Sequence, residues 1–372
     1  MKAAARLAHL RPSPIRALSE GAPAGSVPMG LGEPGWDLPE PARRALAEAG
    51  AGPCAYGPNA GLPGLRAAVA AFHGAREEQV LLATGSEGAI YALFQAWLDP
   101  GDAVLVPDPG FLAYPALARL AGAEPVGYPL AADGTLDAAA FRDTLARTPA
   151  AKLAVVNHPG NPTGAGASAE ALEAVAEACT AAGVLLLSDE VYRELCLERR
   201  GPSLRDVTGT GVVLGSVSKA WGAPGLRVGW AIGDPAWLAP ARLVHAYMVT
   251  APARPAQIAA QALLEASSSV LAEARQHLRL RWESFSGAYR EAFGCSPAPT
   301  AGGFYHWQPL PPSELADPMA FCLRLRDQGG VVVVPGTAFG PGGSGHIRLS
   351  YAGDPETTRE GVRRLAPFWR PA

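Results

Sequence analysis

Between about residues 80 and 216, short unbroken apolar runs alternate with segments whose apolar residues fall at helical spacing. QVLLAT (79–84) is followed by GSEG. Then Ile90, Leu93, Phe94, Trp97 and Leu98 form one apolar face at intervals of three and four residues. DPGD (99–102) closes that helix, AVLVP (103–107) is the next strand, and a helix follows near 111–121. KLAVV (152–156) leads through a loop to a helix over about 168–182, and VLLLSDE (184–190) and GVVLGS (211–216) are further strands. A strand apolar along its whole length has both faces covered, so this alternation predicts an α/β unit with a parallel sheet between helical layers. After about residue 270 the pattern changes. A long polar helix runs to about 293, and GGFYHW, GVVVV and HIRLSY read as short strands of a smaller α+β unit. The residues before about 40 are too few for a domain and are expected to pack on that unit. The predicted division is 40–270 for the large domain and 1–39 with 271–372 for the small one.

Composition agrees and excludes several classes. A chain of 372 residues, 48% of them apolar, can bury a large core and form about two domains. Its 43 glycines and 36 prolines lie between the apolar segments and mark turns. Lys and Arg number 31 against 34 acids, a formal charge of −3, so no nucleic-acid partner is indicated. No apolar run approaches the roughly 20 residues of a membrane helix, so no membrane partner is expected. The N-terminal stretch is rich in Ala and Arg and poor in acids. Transit peptides share that composition, but an ordinary first helix is the expectation, since both residues are abundant throughout. Five cysteines (54, 179, 196, 295, 322), never closer than 17 positions, exclude a compact zinc knuckle and suggest reduced thiols in a cytoplasm.

In such a sheet, ligands bind beyond the carboxyl ends of the strands, and the residues there are unusual. TGSEG (84–88) opens a helix whose free N–H groups suit a phosphate. PDPGFLAY (107–114) sets Phe111 past a strand end, and NHPGNPTG (157–164) is a turn-rich loop holding Asn161. SDEVYREL (188–195) ends an apolar strand on Asp189, where a buried carboxylate is costly without a cation or strong donors. SVSKAWGAPGLRVGW (216–230) places Lys219 and Arg227 between two apolar stretches. Singly these are an ordinary βα turn, a core aromatic, a loop, a helix cap and two solvated charges. Together they are what pyridoxal phosphate needs: a lysine for a Schiff base, a carboxylate at the ring nitrogen and an anion site.

NPTG, DEVY and SxSKxxxxPGxRxG, in this order and spacing, resemble the class I and II aminotransferases of the fold-type-I pyridoxal-phosphate family, in particular the bacterial branch of aspartate and aromatic transaminases. The likeness spans the chain from LGEPGWDLP (31–39) to IRLSYAG (347–353). It implies a mostly parallel, seven-stranded type of sheet and a smaller α+β domain. It also implies transfer of an amino group between an α-amino acid and a 2-oxo acid, in biosynthetic amino-acid metabolism. By that resemblance Lys219 is the Schiff-base lysine, Arg227 holds the cofactor phosphate, and Ser216 with the backbone at Ser86 and Glu87 completes the phosphate cup. Asp189 meets the pyridine nitrogen, Tyr192 and Asn161 the phenolic oxygen, and Phe111 stacks on the ring. Tyr56, in YGPNAGLPGLR, reaches the neighbouring subunit's phosphate, which implies a homodimer with shared sites. Arg348, Gly32 and Asn161 bind the substrate carboxylate.

One departure bears on the substrate. Aspartate-using members often carry a lysine at the position of Glu87, facing the second carboxylate. An acid there implies that neutral, aromatic or basic amino acids are better donors than aspartate, although an acid also suits a helix start. Trp36, Phe111 and Phe339 are candidate apolar contacts at the entrance. Arg254, in TAPARPAQ, is expected in a solvated loop and is otherwise the place to bind an acidic side chain. Another enzyme on the same scaffold, a carbon–sulfur lyase or a cyclase, shares the cofactor residues. A non-catalytic sensor would need a DNA-binding module, for which the 30 residues before LGEP are too few.

Overall fold

A computed structural model describes residues 4–8 and 10–369. The first three positions of the Ala- and Arg-rich N-terminus lie outside the described residues; its helix is α1 (Pro14–Glu20). There follow β1 (Val27–Pro28), α2 (Glu40–Gly50), α3 (Pro63–Phe72), β2 (Val80–Ala83), α4 (Gly85–Trp97), β3 (Ala103–Asp108), α5 (Ala113–Leu120), β4 (Glu124–Pro129) and α6 (Ala138–Ala146). The alternation continues with β5 (Ala151–Asn157), α7 (Ala169–Ala182), β6 (Leu185–Asp189), α8 (Leu204–Val207), β7 (Val212–Ser216) and β8 (Gly229–Ile232). Then come α9 (Pro235–Val249), α10 (Arg254–Glu265), α11 (Ser267–Phe293), β9 (Tyr305–Pro309), α12 (Pro318–Asp327), β10 (Val331–Val332), β11 (Val334–Pro335), β12 (His346–Ser350) and α13 (Pro355–Leu365). Side-chain caps start several of these helices: Asp137 accepts from two N–H groups of α6, and Ser168 and Asp234 cap α7 and α9.

Seven strands form one sheet in the order β2-β8-β7-β6-β5-β3-β4, parallel except for β8, which runs against both neighbours. Both faces are covered, as the unbroken apolar strands require. Leu153, Val155, Leu187 and Leu214 pack under α4, α5 and α9, while Ala154, Val156, Leu186 and Val213 pack under α6 and α7. The period of two assigns alternate residues of one strand to opposite layers. The register aligns Asn157 with Asp189 and Ser216 with Gly229, so the chemistry-bearing strand ends share one edge.

A second sheet, β11-β12-β9, is antiparallel and sets Arg348 opposite Trp307 and Val334. The apolar run GVVVV, expected as one strand, is two. Val331–Val332 pairs in parallel with β1, and the chain switches at Val333 to pair Val334–Pro335 with β12. From the N-terminal segment, Val27 and Pro28 pair with Val331 and Val332. Edge strand β4 escaped the sequence reading because only Tyr128 in it is buried, leaving no apolar alternation.

Candidate active site

A cavity of about 470 Å³ opens at the carboxyl edge of the large sheet. It gathers Gly32, Ser86, Glu87, Phe111, Asn161, Asp189, Tyr192, Ser216, Lys219, Arg227 and Arg348, every residue assigned from sequence to the cofactor or the substrate carboxylate except Tyr56. Lys219 follows β7 and donates from Nζ to the Gly32 carbonyl at 2.6 Å, with the Tyr192 ring centroid 5.6 Å away. The approach depends on Gly32, since a Cβ there would lie 1.8 Å from the Tyr305 hydroxyl oxygen.

Arg227 has φ +53°, a left-handed conformation that costs a non-glycine residue about 1–3 kcal/mol. That turn carries its guanidinium against Gly85, where a Cβ would stand 2.7 Å from Nη2. Gly85 itself has φ +77° and begins α4, whose preceding Thr84 makes no side-chain cap. First-turn N–H groups and a guanidinium therefore converge on one spot, a combination suited to a phosphate. Ser216 Oγ is largely occupied within the protein, 2.9 Å from the Val228 carbonyl and 2.8 Å from Ser218 Oγ, and it accepts the Ser218 N–H.

Asp189 ends β6 and is only 4% exposed. Tyr114 donates to its carboxylate at 2.7 Å and the Val191 N–H does so at 3.3 Å. Burial pushes its pKa up to about 6, against the lowering effect of the Tyr114 bond. Tyr192 and Tyr305 share a hydroxyl–hydroxyl bond of 2.8 Å, and burial first, then Tyr305, holds the Tyr192 phenol well above its ordinary value.

Arg348 is 2% exposed. Its guanidinium lies between the rings of Tyr305 and Phe339, at 4.3 and 4.8 Å, and donates to Asn161 Oδ1 at 2.7 Å and to the Gly30 carbonyl at 2.6 Å. Its Nε is buried without a partner, and no carboxylate pairs with it among the described residues. Phe111 lines the cavity and packs edge-on against Tyr114. Tyr56 is 89% exposed and stands outside the cavity. Trp36 is absent from the cavity lining; it stacks on His277 with Arg281 on its ring. Phe339 serves as a wall of the Arg348 slot, and Arg254 begins α10 away from the cavity lining.

Residues 26–365 match the family model described as aminotransferase class I and II. The chain belongs to that family. An arginine–pyruvate transaminase of Pseudomonas aeruginosa is 33% identical, over 91% of this chain and 88% of the relative. A probable aspartate/prephenate aminotransferase of Thermus aquaticus is 35% identical, over 91% and 90%. The Thermus thermophilus aspartate aminotransferase structure with maleate superposes with a TM-score of 0.89 at 31% identity, covering 99% of this chain and 100% of that one. The protein is thus an aminotransferase with the fold-type-I architecture.

Among the residues of this aminotransferase's cavity not singled out from sequence are Tyr114, Tyr305, Ile15 and Arg16. Tyr114 was findable, because it closes PDPGFLAY, the same strand-end segment that holds Phe111. Tyr305, Ile15 and Arg16 come from segments distant in sequence, and no local pattern announces them.

Proposed function

We propose that the protein is a pyridoxal-phosphate-dependent aminotransferase, working as a cytoplasmic homodimer on neutral, aromatic or basic amino acids. The observation that carries the cofactor is the set of charges left open in one cavity. Among the described residues no carboxylate pairs with Arg227, no cation lies within ion-pair distance of Asp189, on which Lys219 acts only from farther off, and no carboxylate pairs with Arg348. A phosphate, a protonated ring nitrogen and a substrate carboxylate answer these in turn, so the residues fit the group. When bound, pyridoxal phosphate supplies an electron sink for the carbanion formed at the substrate's α-carbon.

The chain's own groups do the rest. Lys219 would hold the cofactor through its amine, and its freed amine would take the proton from the substrate's α-carbon as a positioned base. Arg348, gripping the substrate carboxylate with Asn161 beside it, fixes which bond faces Lys219. Asp189, its hydroxyl donor Tyr114 already in place, meets the ring nitrogen. Tyr192, supported by Tyr305, and Asn161 serve the ring's phenolic oxygen, and Phe111 covers a ring face. Gly32 turns its backbone towards the substrate carboxylate.

The donor reading rests on Glu87, which lines the cavity mouth with no side-chain hydrogen bond or ion pair among the described residues. A second carboxylate on the substrate meets an acid there. Relatives named for arginine, aspartate and prephenate are all about equally similar, so identity does not choose among donors. The dimer reading is supported by Tyr56 together with Tyr247 and Leu243 of α9, all strongly exposed. The five free cysteines accord with a reducing compartment, and no helix among the described residues is long and apolar enough to cross a membrane. The domain division proposed is 40–270 and 1–39 with 271–372, and the two main sheets and the β1–β10 pairing support it.

The test is spectroscopic. Candidate amino acids are added to the cofactor-loaded protein. Conversion of the cofactor to its amine form, reversed by a 2-oxo acid, is the expected result. Release of pyruvate and ammonia instead would make it a lyase.

A further inference from the structure

Gln257, in the first turn of α10, is fully buried, at 0% exposure, and both ends of its amide are committed to backbone. Oε1 accepts the Leu62 N–H at 2.7 Å, and Nε2 donates to the Pro252 carbonyl at 2.6 Å. One side chain thus ties together two surface loops. The first, 56–62, begins with Tyr56. Its turn is closed by Gly61 N–H to Pro58 O at 2.8 Å, and it packs tightly over the amide. A Cβ on Gly61, already at φ +82°, would lie 3.0 Å from Gln257 Oε1.

The second loop leaves α9 through Thr250, at φ +64° and ψ −63°. The Ala251 N–H reaches back to Val249 O at 2.7 Å. That three-residue turn is a rare, strained conformation for a β-branched residue, and it persists only where its surroundings hold it. Pro252, two residues on, is where Gln257 takes hold.

We propose that Gln257 is a positioning residue for a composite site. It holds the 56–62 loop so that Tyr56 projects correctly, and it therefore acts on the cofactor pocket of the partner subunit rather than on that of its own chain. The inference rests on the shared-site dimer proposed above. A route within the chain also exists, because Met248 at the end of α9 lies against Gly88 of α4, where a Cβ would be 3.8 Å from Cε. The two routes predict opposite outcomes.

Heterodimers with one live site separate them. In the first, one chain carries Lys219→Ala and Gln257→Leu and the other is wild type, so the live pocket receives Tyr56 from the altered loop. In the second, Lys219→Ala is on one chain and Gln257→Leu on the other, so the live pocket receives an intact loop. The proposal expects a ten-fold or greater rise in the cofactor concentration needed for half-maximal turnover in the first, and parity with the Lys219→Ala/wild-type control in the second. Equal losses in both, or loss only in the second, overturn it.

A readout independent of turnover is hydrogen exchange in the cofactor-free protein. Gln257→Leu should speed exchange of the Leu62 amide and of 56–62, and unchanged exchange there counts against the proposal. Should Gln257→Leu fail to fold, Gln257→Met, unbranched and of similar length, also removes the acceptor for Leu62, and it enters the same heterodimers with the same expected outcomes. Tyr56→Phe in the same two arrangements tells the failures apart. If it acts across the dimer and Gln257→Leu does not, this inference alone falls; if it does not, the shared-site reading falls as well.

Discussion

Asp189→Asn should stabilise the cofactor-free protein while weakening the loaded one. Asn keeps one oxygen that can accept from Tyr114 at 2.7 Å; like the protonated carboxyl, it gives up the charge and the second acceptor, which takes the longer 3.3 Å bond from the Val191 N–H. Burial raises the carboxyl from 3.8 to about 6. A rise of that size corresponds to about 3 kcal/mol by which the site disfavours the ionised form. The unfolded carboxyl titrates first, so between roughly pH 4 and pH 6 unfolding releases a proton, and wild-type stability falls as pH rises through that window. Above it the loss is complete. The Asn variant has no such loss. Its advantage should therefore be near zero at pH 3.5 and approach about 3 kcal/mol by pH 7.5. The assay is denaturant unfolding of both cofactor-free proteins at the two pH values. A variant no more stable at pH 7.5, or one equally advantaged at both pH values, would refute the reasoning. Cofactor affinity and turnover should move the other way, since the ring nitrogen loses its counter-charge.

Lys219→Ala should lose the visible absorbance of lysine-bound cofactor and its turnover; cofactor retained covalently after borohydride reduction of that variant would reassign the lysine. Arg348→Lys replaces a planar fork with a point charge, and should lower kcat/KM for amino and 2-oxo acids together by roughly ten- to a hundred-fold, about 1.5–3 kcal/mol. A change confined to one amino acid's side chain would contradict the assigned contact. A fully active monomer at micromolar concentration would rule out shared sites. Across a panel of amino donors with one 2-oxo acid, neutral, aromatic or basic amino acids should exceed aspartate in kcat/KM, and Glu87→Lys should narrow the gap. Aspartate leading the panel would remove Glu87 from the pocket and turn attention to Arg254.

Strand ends were the legible part of this site. An apolar strand that stops on Asp189 or hands over to Ser216 and Lys219 declares its direction, and in a parallel sheet direction decides which edge each residue reaches. The single antiparallel strand, β8, did not disturb this reading, because Arg227 precedes it and so enters at the same edge. Contributions from outside the βα alternation were not legible. Tyr305 arrives from a different sheet, and Ile15 and Arg16 from a helix near the N-terminus, so their places depend on how separate units pack. GVVVV shows the same limit, since nothing in five similar residues tells which of two partners each will pair with. Trp36 was misplaced for a related reason: an aromatic near a motif can as readily find a cation and a histidine to stack on.

The features that identify the site are also its burdens in the cofactor-free state. Arg227 is held at positive φ, Asp189 is buried with its carboxyl pushed up, and Arg348 is buried with an unpaired Nε. The Asp189 carboxyl and the Arg348 guanidinium are answered by the ring nitrogen and the substrate carboxylate, while the φ of Arg227 is a standing cost that aims its guanidinium at the phosphate site. Binding only the folded chain, the cofactor stabilises it by mass action, and the burdens so answered are returned as affinity. Substitutions at these positions should therefore separate by sign. Those that remove a burden, as Asp189→Asn does, stabilise the empty protein and weaken the loaded one. Those that disturb the support of a burdened residue, such as Tyr114→Phe beneath Asp189, should weaken both, because the carboxylate then keeps its burial and loses its donor.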